Sequence, residues 1–165
     1  MQRPTTYRDN GTIGALLDEY EKAIYELITV IQGLSEAQLV AIVDTETKDE
    51  ECRSIQTILT HIVESGYTYA VETRKWLGEA ASYRDKKTLP TADAYIAALH
   101  EMFQYNEQLF EDHPNLPLYE KDPNKKILVR WGQRFNPNQL FSHAIVHVLK
   151  HRRQIARFKH RLEVV

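Results

Sequence analysis

Cysteine is almost missing from this chain, with Cys52 the only one in 165 residues. An intrachain disulfide is therefore excluded, and a reduced, intracellular setting is the default expectation. That thiol lies in the charged run ETKDEECRS, which reads as a loop. Acidic neighbours disfavour a thiolate, which argues against a nucleophile there. An excess of either charge is also lacking: Lys+Arg 21 against Asp+Glu 23 leaves a formal net charge of −2. No bulk electrostatic case for nucleic acid exists. The basic cluster from Lys150 to Arg161 fits a solvated helix end, where cations meet the negative pole of the dipole. No apolar run approaches the roughly 20 residues of a membrane span, and the polar start MQRPTTYRDNGT has no signal-peptide core. The expectation is a cytoplasmic protein with neither membrane nor nucleic acid as partner. There is no internal repeat or low-complexity tract. The length suits one domain over residues 1–165, large enough to bury roughly 70% of the unfolded chain's surface without staples.

What the chain has is helical periodicity. Ile13, Leu16, Leu17, Tyr20, Ala23, Ile24, Leu27, Ile28 and Ile31 form an apolar stripe, predicting a first helix over Ile13–Gln32 with Thr12 at its start and Gly33 at its end. Ser35 and Gln38 have capping-box spacing for a short helical turn. After a polar loop over Asp44–Arg53, Ser54 caps a second long helix that ends near Gly78. Gly66 inside it weakens the helix by about 1 kcal/mol relative to alanine, or lets a neighbouring backbone approach. Thr91 caps a third helix that closes before Pro114. The stretch His113–Asn136 holds three prolines and cannot be one helix. Within it KKILVRWGQRF reads as a short extended segment, with Trp131 and Arg134 placed to roof a pocket. A last helix runs over Pro137–Leu162. Four amphipathic helices with polar connections describe an all-α four-helix bundle.

The last helix carries the oddity. Its inward stripe steps through Leu140, Ala144, His147, His151, Ile155, Phe158 and Leu162. Residues four apart on a helix lie about 6 Å apart along the axis and lean the same way, so two imidazoles can converge on one point. A divalent metal with nitrogen ligands at about 2.0–2.1 Å suits such a pair. The plainer alternative is that both histidines hydrogen-bond inside the bundle. A third ligand would have to come from a facing helix or the same face: spacing leaves His61, His100 and His143 open. His113 precedes a proline in a loop, and His160 points away from His151.

Two segments resemble a known family. SIQTILTHIVES, Ser54–Ser65, is similar to the second-helix motif of the DinB-like (damage-inducible, YfiT-type) superfamily, whose histidine falls on His61. LFSHAIVHVLKHRRQI resembles the family's last-helix motif, a His-x-x-x-His pair before an Arg-Gly-Gln-Ile type ending. That ending aligns with Arg152, Arg153, Gln154 and Ile155, which puts the pair at His147 and His151. Arg153 departs from the usual glycine. His143 falls on a position that is often histidine but not usually counted as a ligand.

The resemblance implies a four-helix bundle, up-down-down-up with a long crossover, commonly a homodimer. It also implies a divalent-metal site, zinc or nickel, held by His61, His147 and His151. Members with known roles include thiol-dependent S-transferases and a thiol-dependent isomerase; others are described as candidate metal-dependent hydrolases. A small-molecule substrate, with a low-molecular-weight thiol as co-substrate, is the implied partner. Three imidazoles leave a divalent ion an open position, where water's pKa falls to about 7 or a thiol is held as thiolate. The competing expectations are a metal-carrying bundle without turnover, and a purely structural bundle. No catalytic residue is singled out beyond the ligands. His143 is a candidate hydrogen-bond partner for bound water or substrate. Glu64, one turn from His61, is a candidate base or support, though a solvated surface carboxylate is the plainer reading. Tyr67 and Tyr69 read as core or groove aromatics.

Overall fold

A computed structural model describes residues 6–163, so residues 1–5 of the polar N-terminal stretch lie outside it. Five α-helices dominate: α1 (Gly11–Ile31), the short α2 (Glu36–Val40), α3 (Ile55–Trp76), α4 (Ala92–Asp112) and α5 (Pro137–Glu163). The capping expectations hold in three places. Ser35 with Gln38 and Ser54 with Thr57 form reciprocal capping boxes, and the Thr91 hydroxyl accepts from the Ala94 amide at 3.1 Å. Each satisfies amides that a helix start leaves orphaned.

Thr12 is not the cap of α1. The helix begins at Gly11, and Asn10 precedes it without a side-chain cap bond. The entering chain doubles back instead, pressing Arg8 against Gly14, where a Cβ would lie 2.6 Å from the Arg8 carbonyl oxygen. Arg8 holds this fold-back through Asp18 and Glu21 on α1 and Glu107 on α4, at 2.7, 2.9 and 2.6 Å.

Pairings fix the arrangement of the four long helices. Tyr20 of α1 meets Met102 and Phe103 of α4, while Arg8, ahead of α1, reaches Glu107 further along α4; the two helices run antiparallel. Along α1 and α5, Glu26 pairs with Arg152, and the Val30 carbonyl accepts from Lys159, so these run parallel. Thr60 of α3 meets Tyr95 of α4, and further along the Gly66 carbonyl accepts from Asn106, so α3 and α4 are parallel. Rings of α3 and α5 pair His61 with His151 and Tyr69 with His143, an antiparallel sense. The bundle is therefore up-down-down-up, and the parallel neighbours α3 and α4 need the long crossover over residues 77–91. One core cluster fills the interior, including the fully buried Leu27, Ile58, Leu59, Leu99 and Leu140.

Gly66 faces α4, where a Cβ would come within 2.3 Å of the Met102 sulfur. The glycine makes room for a side chain rather than for a neighbouring backbone. The connection from α4 to α5 contains the expected extended segment as a small hairpin, β1 (Ile127–Leu128) with β2 (Arg134–Phe135), antiparallel with Ile127 opposite Phe135. It lies beside the α3–α5 face and sets Trp131 over it. Among the described residues no helix is long and apolar enough to cross a membrane.

Candidate metal centre

The helical repeat puts His147 and His151 one turn apart on α5, with ring centroids 4.5 Å apart. Antiparallel packing of α3 then brings the first turns of that helix opposite them. His61 lies there, its ring 4.8 Å from that of His147 and 5.3 Å from that of His151. The Nε2 atoms of His61 and His147 are 2.9 Å apart. One ligand atom from each of the three rings falls within 4.8 Å of the others, so the group could hold a metal ion. A tetrahedral ion with bonds of about 2.0–2.1 Å sets its nitrogens about 3.4 Å apart. The observed separations bracket that spacing.

The outer nitrogens of His151 and His61 each face a polar side chain. His151 Nδ1 faces Gln154 Oε1 at 3.0 Å, which leaves its Nε2 free. Glu51 Oε2 lies 2.7 Å from His61 Nδ1, close enough to accept from the neutral ring although the N–H direction is not aligned on it. A carboxylate or amide on the far nitrogen fixes the tautomer that offers a lone pair inward. Glu51 comes from a 3₁₀ turn, Glu50–Cys52, just ahead of α3. Lys86, in the crossover, pairs with its other oxygen.

Burial holds the rings neutral. His151 is 1% exposed, and desolvation, partly offset by the Gln154 bond, lowers its pKa to about 4. His147 falls to about 2 by desolvation first and then by the neighbouring imidazoles. His61 is lowered by the same loss of solvent, against an opposing pull from Glu64 and Asp49. All three rings thus present lone pairs at neutral pH, as metal ligation requires. The donor set fits a divalent ion with an open position, and no cysteine completes it. Cys52 bonds Asp49 instead at 3.3 Å, and burial and that carboxylate push its thiol pKa up.

A cleft of about 720 Å³ opens over His61 and His147, within the range of small-molecule sites. His143 stands at its edge, its ring stacked 6.3 Å from His147 and 6.3 Å from Trp131, outside the three-ring group. Of the two residues expected to roof a pocket, Trp131 lines the cleft. Arg134 turns away to the Asn124 carbonyl at 3.2 Å. Glu64 is not a solvated carboxylate: its side chain is 14% exposed and pairs with Arg130 at 2.8 Å. Tyr69 is buried against His143 and His147 and forms part of the wall. His100 is half-buried on α4 and apart from the group, His113 pairs with Glu79, and His160 is exposed.

Sequence reasoning missed Glu51, Glu72 and the crossover residues Tyr83, Arg84 and Lys86. Glu72, 5% exposed, accepts from the Tyr83 hydroxyl at 2.9 Å and the Arg130 amide at 2.8 Å. One buried carboxylate thus ties both flanking loops to α3. Gln154 was findable, because it sits three residues after His151, where helix side chains meet. Glu51 had no such signal in its run of acids.

No curated protein and no solved structure matches the chain. The model of the DinB family matches residues 1–161. With nearly the whole length matched, and with the bundle and histidine group described above, the chain belongs to the DinB family.

Proposed function

We propose that this protein is a metal-dependent enzyme that transfers a thiol to a small electrophile, with His61, His147 and His151 holding a divalent ion, zinc or nickel. The observation that carries the reading is the convergence of three neutral imidazoles beneath an open cleft. A bound ion supplies Lewis acidity, lowering the pKa of a thiol that reaches its open position. The chain's own residues do the rest. Glu51 and Gln154 orient the ligand rings, and Trp131 and Tyr69 wall the site from bulk water. His143 carries no hydrogen bond among the described residues, so it is free to take the thiol proton. The sulfur then forms a bond to the electrophilic carbon as the leaving group departs with its electron pair.

Hydrolysis uses the same ligands and also needs a carboxylate or imidazole to activate water. Glu51 is engaged by Lys86 and Glu64 by Arg130, which leaves His143 as the base for either chemistry, and the assay separates the two. The same reading has the protein act in the cytoplasm as a homodimer. The test is to incubate metal-loaded protein with small thiols and electrophiles, and separately with ester and amide panels. Metal-dependent thiol consumption that disappears in His147→Ala is expected. Cleavage of esters alone would favour the hydrolase, and no turnover in either panel would favour a metal-carrying bundle without catalysis.

A further inference from the structure

The charges of the cleft say what kind of molecule it takes. Its walls carry Arg84, Lys86 and Arg130 against Glu51, Glu64 and Asp85. Four of these neutralise one another in pairs, Lys86 with Glu51 and Arg130 with Glu64. Arg84 is held differently. Its guanidinium lies 3.8 Å from the centre of the Tyr67 ring and 5.4 Å from that of Tyr105.

An arginine stacked on an aromatic face keeps its N–H edge available to fork a carboxylate. Among the described residues no carboxylate takes that edge, adjacent Asp85 included. The segment bearing Arg84 is also fixed in place. Tyr83 before it bonds the buried Glu72 at 2.9 Å, and Lys86 after it reaches Glu51. These two contacts lower the cost of ordering the segment when a ligand arrives. The three cations and three carboxylates of the walls cancel, and the imidazoles are neutral. A bound divalent ion therefore makes the cleft positive, with the stacked guanidinium as the one wall cation lacking a partner carboxylate.

We propose that Arg84 reads a carboxylate on the substrate, so that the cleft selects carboxylated thiols over neutral ones of the same size. This rests on the metal-and-thiol reading above, and names the substrate class for that site. A charge-assisted, bidentate pair of this kind corresponds to a preference of about ten-fold or more.

The experiment uses cobalt-loaded full-length protein titrated with 3-mercaptopropionate and with its neutral analogue 3-mercapto-1-propanol, followed by the sulfur-to-cobalt charge-transfer absorbance. The acid should bind about ten-fold or more tightly than the alcohol. In Arg84→Met that preference should collapse to about two-fold or less while the alcohol's affinity stays unchanged, and Arg84→Lys should restore part of it. Comparing variants removes any contribution from the carboxylate touching the cobalt directly, since that would persist in Arg84→Met. Equal affinities in the unaltered protein, or a preference that survives in Arg84→Met, would overturn the assignment to Arg84 and leave the thiol reading intact. Failure of both thiols to give a charge-transfer band would overturn both readings together.

Discussion

Replacing Gly66 by alanine tests how α3 is seated against α4, and with it the placement of His61 five residues earlier. On an exposed helix the change would stabilise by about 1 kcal/mol, because alanine loses less backbone freedom on folding. Here the new methyl would lie 2.3 Å from the Met102 sulfur, 2.7 Å from its Cγ and 2.9 Å from its Cε. Met102 is fully buried. Its sulfur is also touched by the Tyr20 hydroxyl and the Asn106 amide nitrogen, both at 3.5 Å. The thioether is flexible, yet these contacts crowd it from other sides. Overpacking of this kind costs about 1–3 kcal/mol. Against the propensity gain, the net expectation is a loss of about 1 kcal/mol, or about 2–4 °C in Tm for a chain of this size. Urea unfolding at unchanged m-value measures it. In a Met102→Ala background the clash is gone, and the same substitution should stabilise by about 1 kcal/mol. Stabilisation by Gly66→Ala in the unaltered protein, or identical effects in both backgrounds, would refute the packing argument.

Two further outcomes follow from the histidine group. Glu51→Gln should weaken divalent-metal affinity about 10–100-fold, as loss of a carboxylate behind a ligating histidine generally does; a chelator-competition titration reads it, and unchanged affinity would remove Glu51 from the site. Metal-free protein should lose stability on acidification below about pH 6.5, because the folded pKa values, about 2 for His147 and about 4 for His151, lie under the ordinary 6.5. Between those values the unfolded chain binds more protons, so the stability present above pH 6.5 falls progressively as pH drops. Urea midpoints between pH 7.5 and 5 cover a window in which the carboxylates contribute little, and a flat profile would contradict the buried, neutral rings.

Helix positions were legible because apolar side chains recur with a 3.6-residue period, and the boundaries at Ser54 and Thr91 because hydroxyls satisfy orphaned amides there. Thr12 was misplaced as a cap because the start of α1 is set by Arg8 reaching carboxylates on two helices, a contact between distant parts of the chain. The His147–His151 pair was visible as two imidazoles in an apolar stripe. His61 was set apart from His100 chiefly by a motif, because which face of α3 meets α5 depends on the order of helices around the bundle. Glu51, Glu72 and Arg84 stayed hidden for the same reason. They lie in polar connections or on a helix flank, and only the antiparallel packing of α3 against α5 and the course of the crossover bring Glu51 and Arg84 to the cleft and the loops to Glu72. Glu64 was taken for a solvated carboxylate because its partner, Arg130, is remote in sequence.

The most direct test is the metal content of protein purified without an affinity tag and equilibrated with zinc or nickel, measured beside a His61→Ala variant whose helical content is unchanged. The account predicts about one divalent ion per chain in the unaltered protein and essentially none retained by the variant. An absence of bound metal at any pH above 7, or the same content in both proteins, would contradict it.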